Sequence, residues 1–246
     1  MVKYREIADR LAAELAEVPP GVRVAGEYET AERFGVGRAT ARSALQELER
    51  RTLIRRIPGV GTFTARRIDY PISPSVSPSW SETVRRSGAE PRSIVRSCEP
   101  AAPPSAIALA LEVSEDEPCQ LLKRQSYTDG VVAAWGEEWV PVSVVPELKA
   151  ATRVTDSQHR ILRDVARSEP QRAWSRASAE VADPETAREL GCGVGDPVWL
   201  VESLNVDGPT GRPLCFTRRW MRADAVRLIF ETGPLIDGSA MPGPPP

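Results

Sequence analysis

The spacing of apolar residues changes twice within the first 65 positions, and each change predicts a different element. Ile7, Leu11 and Leu15 recur at helical spacing with Tyr4, Ala8 and Ala12 beside them, and Pro19-Pro20-Gly21 stops the helix they predict. From Gly37 onward, Ala41, Ala44, Leu45 and Leu48 form an apolar face, and Arg38, Arg42 and Gln46 form a polar stripe opposite it. The segment 29–34, joined to this helix by Gly35-Val36-Gly37, completes two helices and a tight turn, with Gly37 where an N-cap is expected. Residues 53–57 and 62–64 then read as short strands around the turn 58–61, a basic hairpin tipped by Gly59 and Gly61.

The pattern after this point is different. Residues 67–90 are rich in Pro and Ser and read as a semi-stiff linker containing one helix-like piece, 81–88. Beyond Pro91 a unit repeats. The run 110–118 followed by CQLLKRQSYTDG is echoed by 189–197 followed by VWLVESLNVDG, each reading helix end, acidic turn, strand, Asp-Gly turn and returning strand. The returning strands are 131–140 and 212–221, and a helix, 158–168, and a strand, 172–181, fall between the copies. The fold class expected is therefore α+β, with a mostly antiparallel sheet and a cleft where the repeated halves meet. The domains expected are 1–66, a linker 67–90, a second domain 91–236 and a disordered tail 237–246.

Charge sharpens the division. Residues 1–70 carry 13 Lys/Arg against 10 Asp/Glu, whereas the remainder carries 19 against 24, so only the N-terminal piece is basic. A basic helix followed by a basic hairpin suits double-stranded DNA: the second helix enters the major groove and Arg38 and Arg42 offer forks to guanine or phosphate. Arg55 and Arg56 on the hairpin would follow phosphates in a salt-dependent way. Met1 leads straight into an amphipathic charged helix and no apolar run reaches membrane-spanning length, so a cytoplasmic protein without membrane contact is expected. Cys98, Cys119, Cys192 and Cys215 are scattered and His159 is the sole histidine, so no metal site, cofactor or disulfide framework is expected. No nucleophile–base pair is visible either, which sets aside an enzyme.

The N-terminal segment resembles the winged helix of the GntR family of bacterial regulators. The resemblance rests on Pro20-Gly21, Glu27, Phe34-Gly35-Val36, Arg38, Thr40, Arg42, Ala44-Leu45, Leu48, Ile54 and Gly59-Val60-Gly61-Thr62-Phe63. It implies DNA contacts from Arg38 and Arg42 and a minor-groove approach by the wing-tip glycine Gly61; Thr40 and Gln46 on the same helix and Gly59 in the turn are expected to contact DNA with them. The chain departs from the family at Tyr28, where an arginine is customary and a phenol could still meet a phosphate, at Gly37 for serine, and at Thr52 for glycine.

The order of elements after Pro91 resembles the UTRA ligand-sensing domain, of chorismate-lyase-like fold, found in the HutC-like branch. That resemblance implies a homodimer, usually a repressor, whose grip on operator DNA is modulated by a small anionic or amine-bearing metabolite. Arg124 stands where an anion-binding arginine is common, while Ser126 replaces a second arginine and Cys215 a customary carboxylate. Strand alternation adds Glu137 between Trp135 and Trp139, the pair Arg176 and Ser178, and the pair Arg218 and Trp220 as candidate effector contacts. The alternative is a C-terminal domain that only dimerises or binds a protein partner.

Overall fold

The computed structural model describes residues 3–231 apart from 58, 74, 75, 77 and 115, and the expected tail 237–246 lies outside the described residues. The chain divides into two compact units, Met1–Arg67 and Ile68–Pro246.

In the first unit, α1 (Lys3–Leu15), β1 (Arg23–Val24), α2 (Glu27–Phe34) and α3 (Arg38–Arg50) precede the hairpin of β2 (Ile54–Ile57) and β3 (Gly61–Thr64). The apolar faces of α1 and α3 meet: Ile7, Ala8 and Leu11 pack with Ala44, Leu45, Leu48 and Ile54. Gly35 ends α2 in the left-handed region, at φ 58°, where a side chain would be strained. The Gly26 N–H donates to Glu29 Oε2 at 2.7 Å, which starts α2 two residues earlier than the sequence pattern indicates. β3 pairs antiparallel with both β2 and β1, making a three-stranded sheet.

The second unit opens with β4 (Ile68–Ile72) and α4 (Trp80–Arg86), within the stretch expected to be a linker. That expectation is corrected. Ile68, Tyr70, Trp80 and Val84 are buried in one core cluster with Ala134, Val201 and Met221. The Pro/Ser composition hid an alternation of buried residues in β4, and Pro71, which has no N–H to donate, is tolerated in a two-stranded sheet.

There follow β5 (Pro91–Ala101), α5 (Ser105–Leu111), β6 (Cys119–Thr128), β7 (Val131–Pro141), α6 (Leu148–Val154), α7 (Gln158–Asp164), β8 (Pro170–Val181), α8 (Pro184–Leu190), β9 (Pro197–Asp207), β10 (Pro213–Arg222) and β11 (Val226–Phe230). Six of these strands form an antiparallel sheet in the order β5-β6-β7-β10-β9-β8, while β11 pairs parallel with β4. The sequence repeat becomes two hairpins, β6–β7 and β9–β10, whose returning strands pair at the centre of the sheet.

Asp129 and Gly130, at φ 47° and 76°, make the first hairpin a two-residue turn of the kind Asp-Gly favours. The second Asp-Gly differs: β9 runs through Asp207, whose carboxylate accepts from Thr210 Oγ1 at 2.6 Å and the Glu169 N–H at 2.8 Å within a longer loop.

Both faces of the large sheet are covered. On one, α5 packs on Trp139, Leu204 and Phe216, and α8 packs on Trp135 and Val198. On the other, α6 and α7 bring Leu148, Ile161 and Leu162 against Leu122 and Val140, while β4 and α4 cover Ala134 and Met221. The second face has an interval between its two apolar clusters, and polar side chains fill it.

Candidate functional site

Two places concentrate chemistry, one in each unit. In the first, α3 buries Ala41, Ala44, Leu45 and Leu48 and leaves Arg38, Arg42 and Gln46 exposed along one stripe, with Thr40 half-buried beside it. Acidic neighbours already position the stripe. Arg42 donates from Nε and Nη2 to the two carboxylate oxygens of Glu27 at 2.9 and 3.1 Å, and these hydrogen bonds hold the Glu27 carboxyl below its ordinary range. Arg38 lies over the Tyr28 ring, 5.5 Å from its centroid, so the phenol that replaces the customary arginine carries a guanidinium on its face.

On the hairpin, Arg55 and Arg56 are adjacent in β2 and point to opposite faces. Arg56 is drawn back to the helices: its N–H and Nε donate to Glu49 at 3.1 and 2.8 Å. Gly59 and Gly61 adopt φ 74° and 145°, and a Cβ on Gly61 would lie 3.2 Å from Arg23 Nε, so the hairpin tip accepts only glycine comfortably at that position. Thr52, at φ 58°, occupies the left-handed region in a position where the family customarily has glycine.

In the second unit, side chains from six strands and one helix line a cavity of about 20 Å³, over the seam where β7 and β10 pair. Its walls include Tyr70 of β4, Arg124 of β6, Glu138 of β7, His159 of α7, Arg172 of β8, Asn205 of β9 and Cys215 and Arg219 of β10. Three guanidinium groups and one carboxylate therefore share its walls. Glu138 is 1% exposed, and its Oε1 accepts from Arg124 Nη2 and from Arg219 Nη2, the latter at 3.2 Å. Arg124 Nη1 donates to the Asp156 carbonyl at 2.8 Å. The Tyr70 hydroxyl accepts from Arg172 Nη2 at 2.8 Å and from Arg219 Nη1 at 3.1 Å.

This electrostatic balance moves two of the groups in definite directions. Burial alone would lift the Tyr70 phenol, but the positive charges of Arg172 and Arg219 outweigh it and hold the phenol below its ordinary value. Burial disfavours the charged form of Arg219, yet Tyr70 and Glu138 more than compensate and keep it protonated. Cys215, buried beside Glu138, has its thiol pushed up to about 12, so it lines the wall as an inert neutral group.

Six buried polar atoms around the cavity have no hydrogen-bond partner among the described residues: Arg124 Nε, Glu138 Oε2, Gln158 Nε2 and Oε1, His159 Nδ1 and Asn205 Oδ1. Buried polar groups are ordinarily satisfied, and several orphans facing one cavity mark a site shaped for a polar occupant. A volume of about 20 Å³ accommodates little more than one water, so anything larger enters only if the walls move.

Of the effector contacts expected from sequence, Arg124 lines this cavity and the others do not. Trp135, Glu137, Trp139, Arg176, Ser178, Arg218 and Trp220 all project from the opposite face of the sheet. There Lys123, Glu137, Arg218, Glu202 and Arg176 stand directly opposite one another across five strands. Lys123 pairs with Glu137 at 2.9 Å, and Glu202 pairs with Arg218 and Arg176 at 2.9 and 3.1 Å. Trp135 and Trp139 are buried in separate apolar clusters under α8 and α5. The alternation placed these residues together correctly but on the face remote from the cavity. Glu138 and Arg219, each one residue further along, are the groups that enter it. Tyr70 and Arg172 were missed as well, because only the folded sheet brings β4 over β8.

Comparison with known proteins gives two family matches. Residues 3–64 match the bacterial regulatory proteins of the gntR family, and residues 86–227 match the UTRA domain. The chain is 27% identical over 209 residues to the HTH-type transcriptional regulator GgaR of Escherichia coli K12, covering 84% of this chain and 80% of that protein. It is 28% identical over 148 residues to the mannosyl-D-glycerate transport/metabolism system repressor MngR of the same organism, covering 59% and 61%. The crystal structure of PhnF from Mycobacterium smegmatis superimposes with a TM-score of 0.63 at 22% identity, covering 92% of this chain and 99% of that one.

Proposed function

The chain belongs to the GntR family of bacterial transcriptional regulators, with a DNA-binding winged helix followed by a UTRA ligand-binding domain, and on that premise we propose that it is a dimeric repressor released from its operator by a small oxyanion-bearing metabolite. One observation carries the ligand part of the reading: three guanidinium groups, one carboxylate and six orphaned polar atoms surround a single cavity. The excess positive charge favours a phosphate, phosphonate or carboxylate over an amine, because guanidinium forks pair bidentately with planar or tetrahedral oxyanions. Arg124, Arg172 and Arg219 would grip the anion, and Asn205 and His159 would orient the rest of the molecule.

At the other end, Arg38, Thr40, Arg42 and Gln46 would read the major groove, with Tyr28 supporting Arg38 and Gly59 and Gly61 bringing the wing close to the duplex. Two copies would address a pseudo-palindromic site, the usual arrangement for a symmetric dimer on DNA. Repression is the sign named for the relative MngR, and it is adopted here with that support. For occupancy to control DNA binding, the ligand must favour one conformation over another, since equal affinity shifts no equilibrium.

The reading is tested by electrophoretic mobility shift of the full chain on DNA upstream of its own gene, with a panel of phosphates, phosphonates, carboxylates and amines. Release of a specific shift by an anionic member supports it. A specific shift that no compound changes would instead favour a C-terminal domain that only dimerises or binds a protein partner.

A further inference from the structure

One wall of the cavity is the Tyr70 side chain of β4, and the way that strand is fastened points to its role. Tyr70 reaches in from β4 and presents its one hydroxyl oxygen to two guanidinium groups, at 2.8 Å from Arg172 Nη2 and 3.1 Å from Arg219 Nη1. Arg172 also lies 5.2 Å from the centroid of the Tyr70 ring, and its Nη1 donates to the Pro71 carbonyl at 3.0 Å. Besides its ladder with β11 and the Asp69–Arg227 pair, β4 is therefore tied by two of its residues to a cavity arginine, Arg172.

We propose that the Tyr70 hydroxyl occupies a ligand subsite between Arg172 and Arg219 in place of a phosphate, phosphonate or carboxylate oxygen, and that such an oxyanion binds by displacing it. The proposal rests on reading the cavity as the effector site. The phenol offers the two guanidinium groups one shared acceptor, whereas an oxyanion offers two or three oxygens, so the exchange lets each guanidinium pair with an oxygen of its own. Space requires the exchange, because about 20 Å³ cannot admit an oxyanion while the phenol remains.

The geometry also selects which wall yields. The strands that supply Arg124, Glu138, Asn205 and Arg219 lie in the interior of a six-stranded sheet, whereas β4 has one strand neighbour, β11. An anion that captures Arg172 and Arg219 releases the Tyr70 hydroxyl and the Pro71 carbonyl together. β4 begins at Ile68, the residue after Arg67, where the DNA-binding unit ends, so ligand occupancy acts on the segment of chain that enters the second unit.

The test uses the full chain, with inorganic phosphate as probe and potassium chloride at matched ionic strength as control. Phosphate affinity is measured by calorimetry, and amide hydrogen exchange is followed in residues 68–72. Tyr70→Phe keeps the ring in its apolar cluster and removes only the competing oxygen. It is expected to bind phosphate roughly tenfold more tightly than the wild type, the order of one hydrogen bond to a charged group. Exchange at 68–72 should rise with phosphate in the wild type and be raised without it in Tyr70→Phe. Arg172→Gln should lose phosphate binding.

Equal or weaker binding by Tyr70→Phe would overturn the proposal by making the phenol a bystander or a ligand contact. Phosphate binding with unchanged exchange at 68–72 would also overturn it. Absence of binding in both proteins would remove the oxyanion subsite, and the DNA-release panel would then decide separately whether the cavity is an effector site for another chemistry.

Discussion

Neutralising Glu138 isolates the electrostatic core of the second unit. Glu138 is 1% exposed and accepts from Arg124 and Arg219, which are 5% and 8% exposed, so Glu138→Gln leaves two buried guanidinium groups without their shared carboxylate while preserving shape. Breaking a buried pair in this way costs about 3–5 kcal/mol, and the retained amide oxygen places the expectation near the lower end, about 3 kcal/mol. In a unit of this size each kcal/mol lowers the melting temperature by about 2–4 °C, so a fall of about 6–12 °C is expected in thermal unfolding followed by circular dichroism.

Phosphate should restore much of the loss in the variant, because the cavity has gained net positive charge. An anion present at a hundredfold excess over its dissociation constant returns about 2.7 kcal/mol. Glu137→Gln supplies the control. That carboxylate pairs with Lys123 on the opposite face, where both side chains retain contact with solvent, and a cost below about 1 kcal/mol is expected. Melting of Glu138→Gln within about 2 °C of the wild type, or an equal loss in Glu137→Gln, would refute the assignment of Glu138 as the buried counter-charge.

Three further outcomes are expected. Arg38→Ala and Arg42→Ala should each weaken operator binding by about tenfold or more in fluorescence anisotropy, and a phosphate-contacting arginine would also reduce the salt slope by about 1; unchanged affinity in both would remove the α3 assignment. Thr52→Gly should stabilise the winged helix by about 0.5–1 kcal/mol in urea unfolding, since a left-handed threonine costs roughly 1–2 kcal/mol and the greater freedom of unfolded glycine returns about 0.5–1. Burial, with help from Arg163, holds the His159 imidazole below its ordinary 6.5. The unfolded chain therefore takes up that proton first as pH falls, so the stability His159 contributes is full above 6.5 and declines below it. The decline should be smaller in His159→Gln when melting temperatures are compared from pH 7.5 to 5.5.

Much of this molecule was legible in its sequence, and the parts that were not share a cause. The α3 stripe could be read because a single helix places Arg38, Arg42 and Gln46 on one side without help from tertiary structure. The Asp129-Gly130 turn could be read because only certain residues accept positive φ at two successive positions. The sheet site resisted for a matter of parity. Glu137 and Glu138 are adjacent, as are Arg218 and Arg219, and helices or β4 cover both faces, so no polar-out alternation shows which member of each pair enters the cavity. Tryptophans at 135 and 139 drew attention to the wrong parity because they mark a core. Tyr70 was concealed differently: a proline- and serine-rich segment reads as a linker until the parallel pairing of β4 with β11 is known.

The most direct test of the central claim is a crystal structure of the full chain with the compound that releases it from DNA. The result expected is an oxyanion within hydrogen-bonding distance of Arg172 and Arg219, with the Tyr70 hydroxyl withdrawn from between them. A compound bound on the opposite sheet face, among Trp135, Glu137 and Trp139, would contradict it.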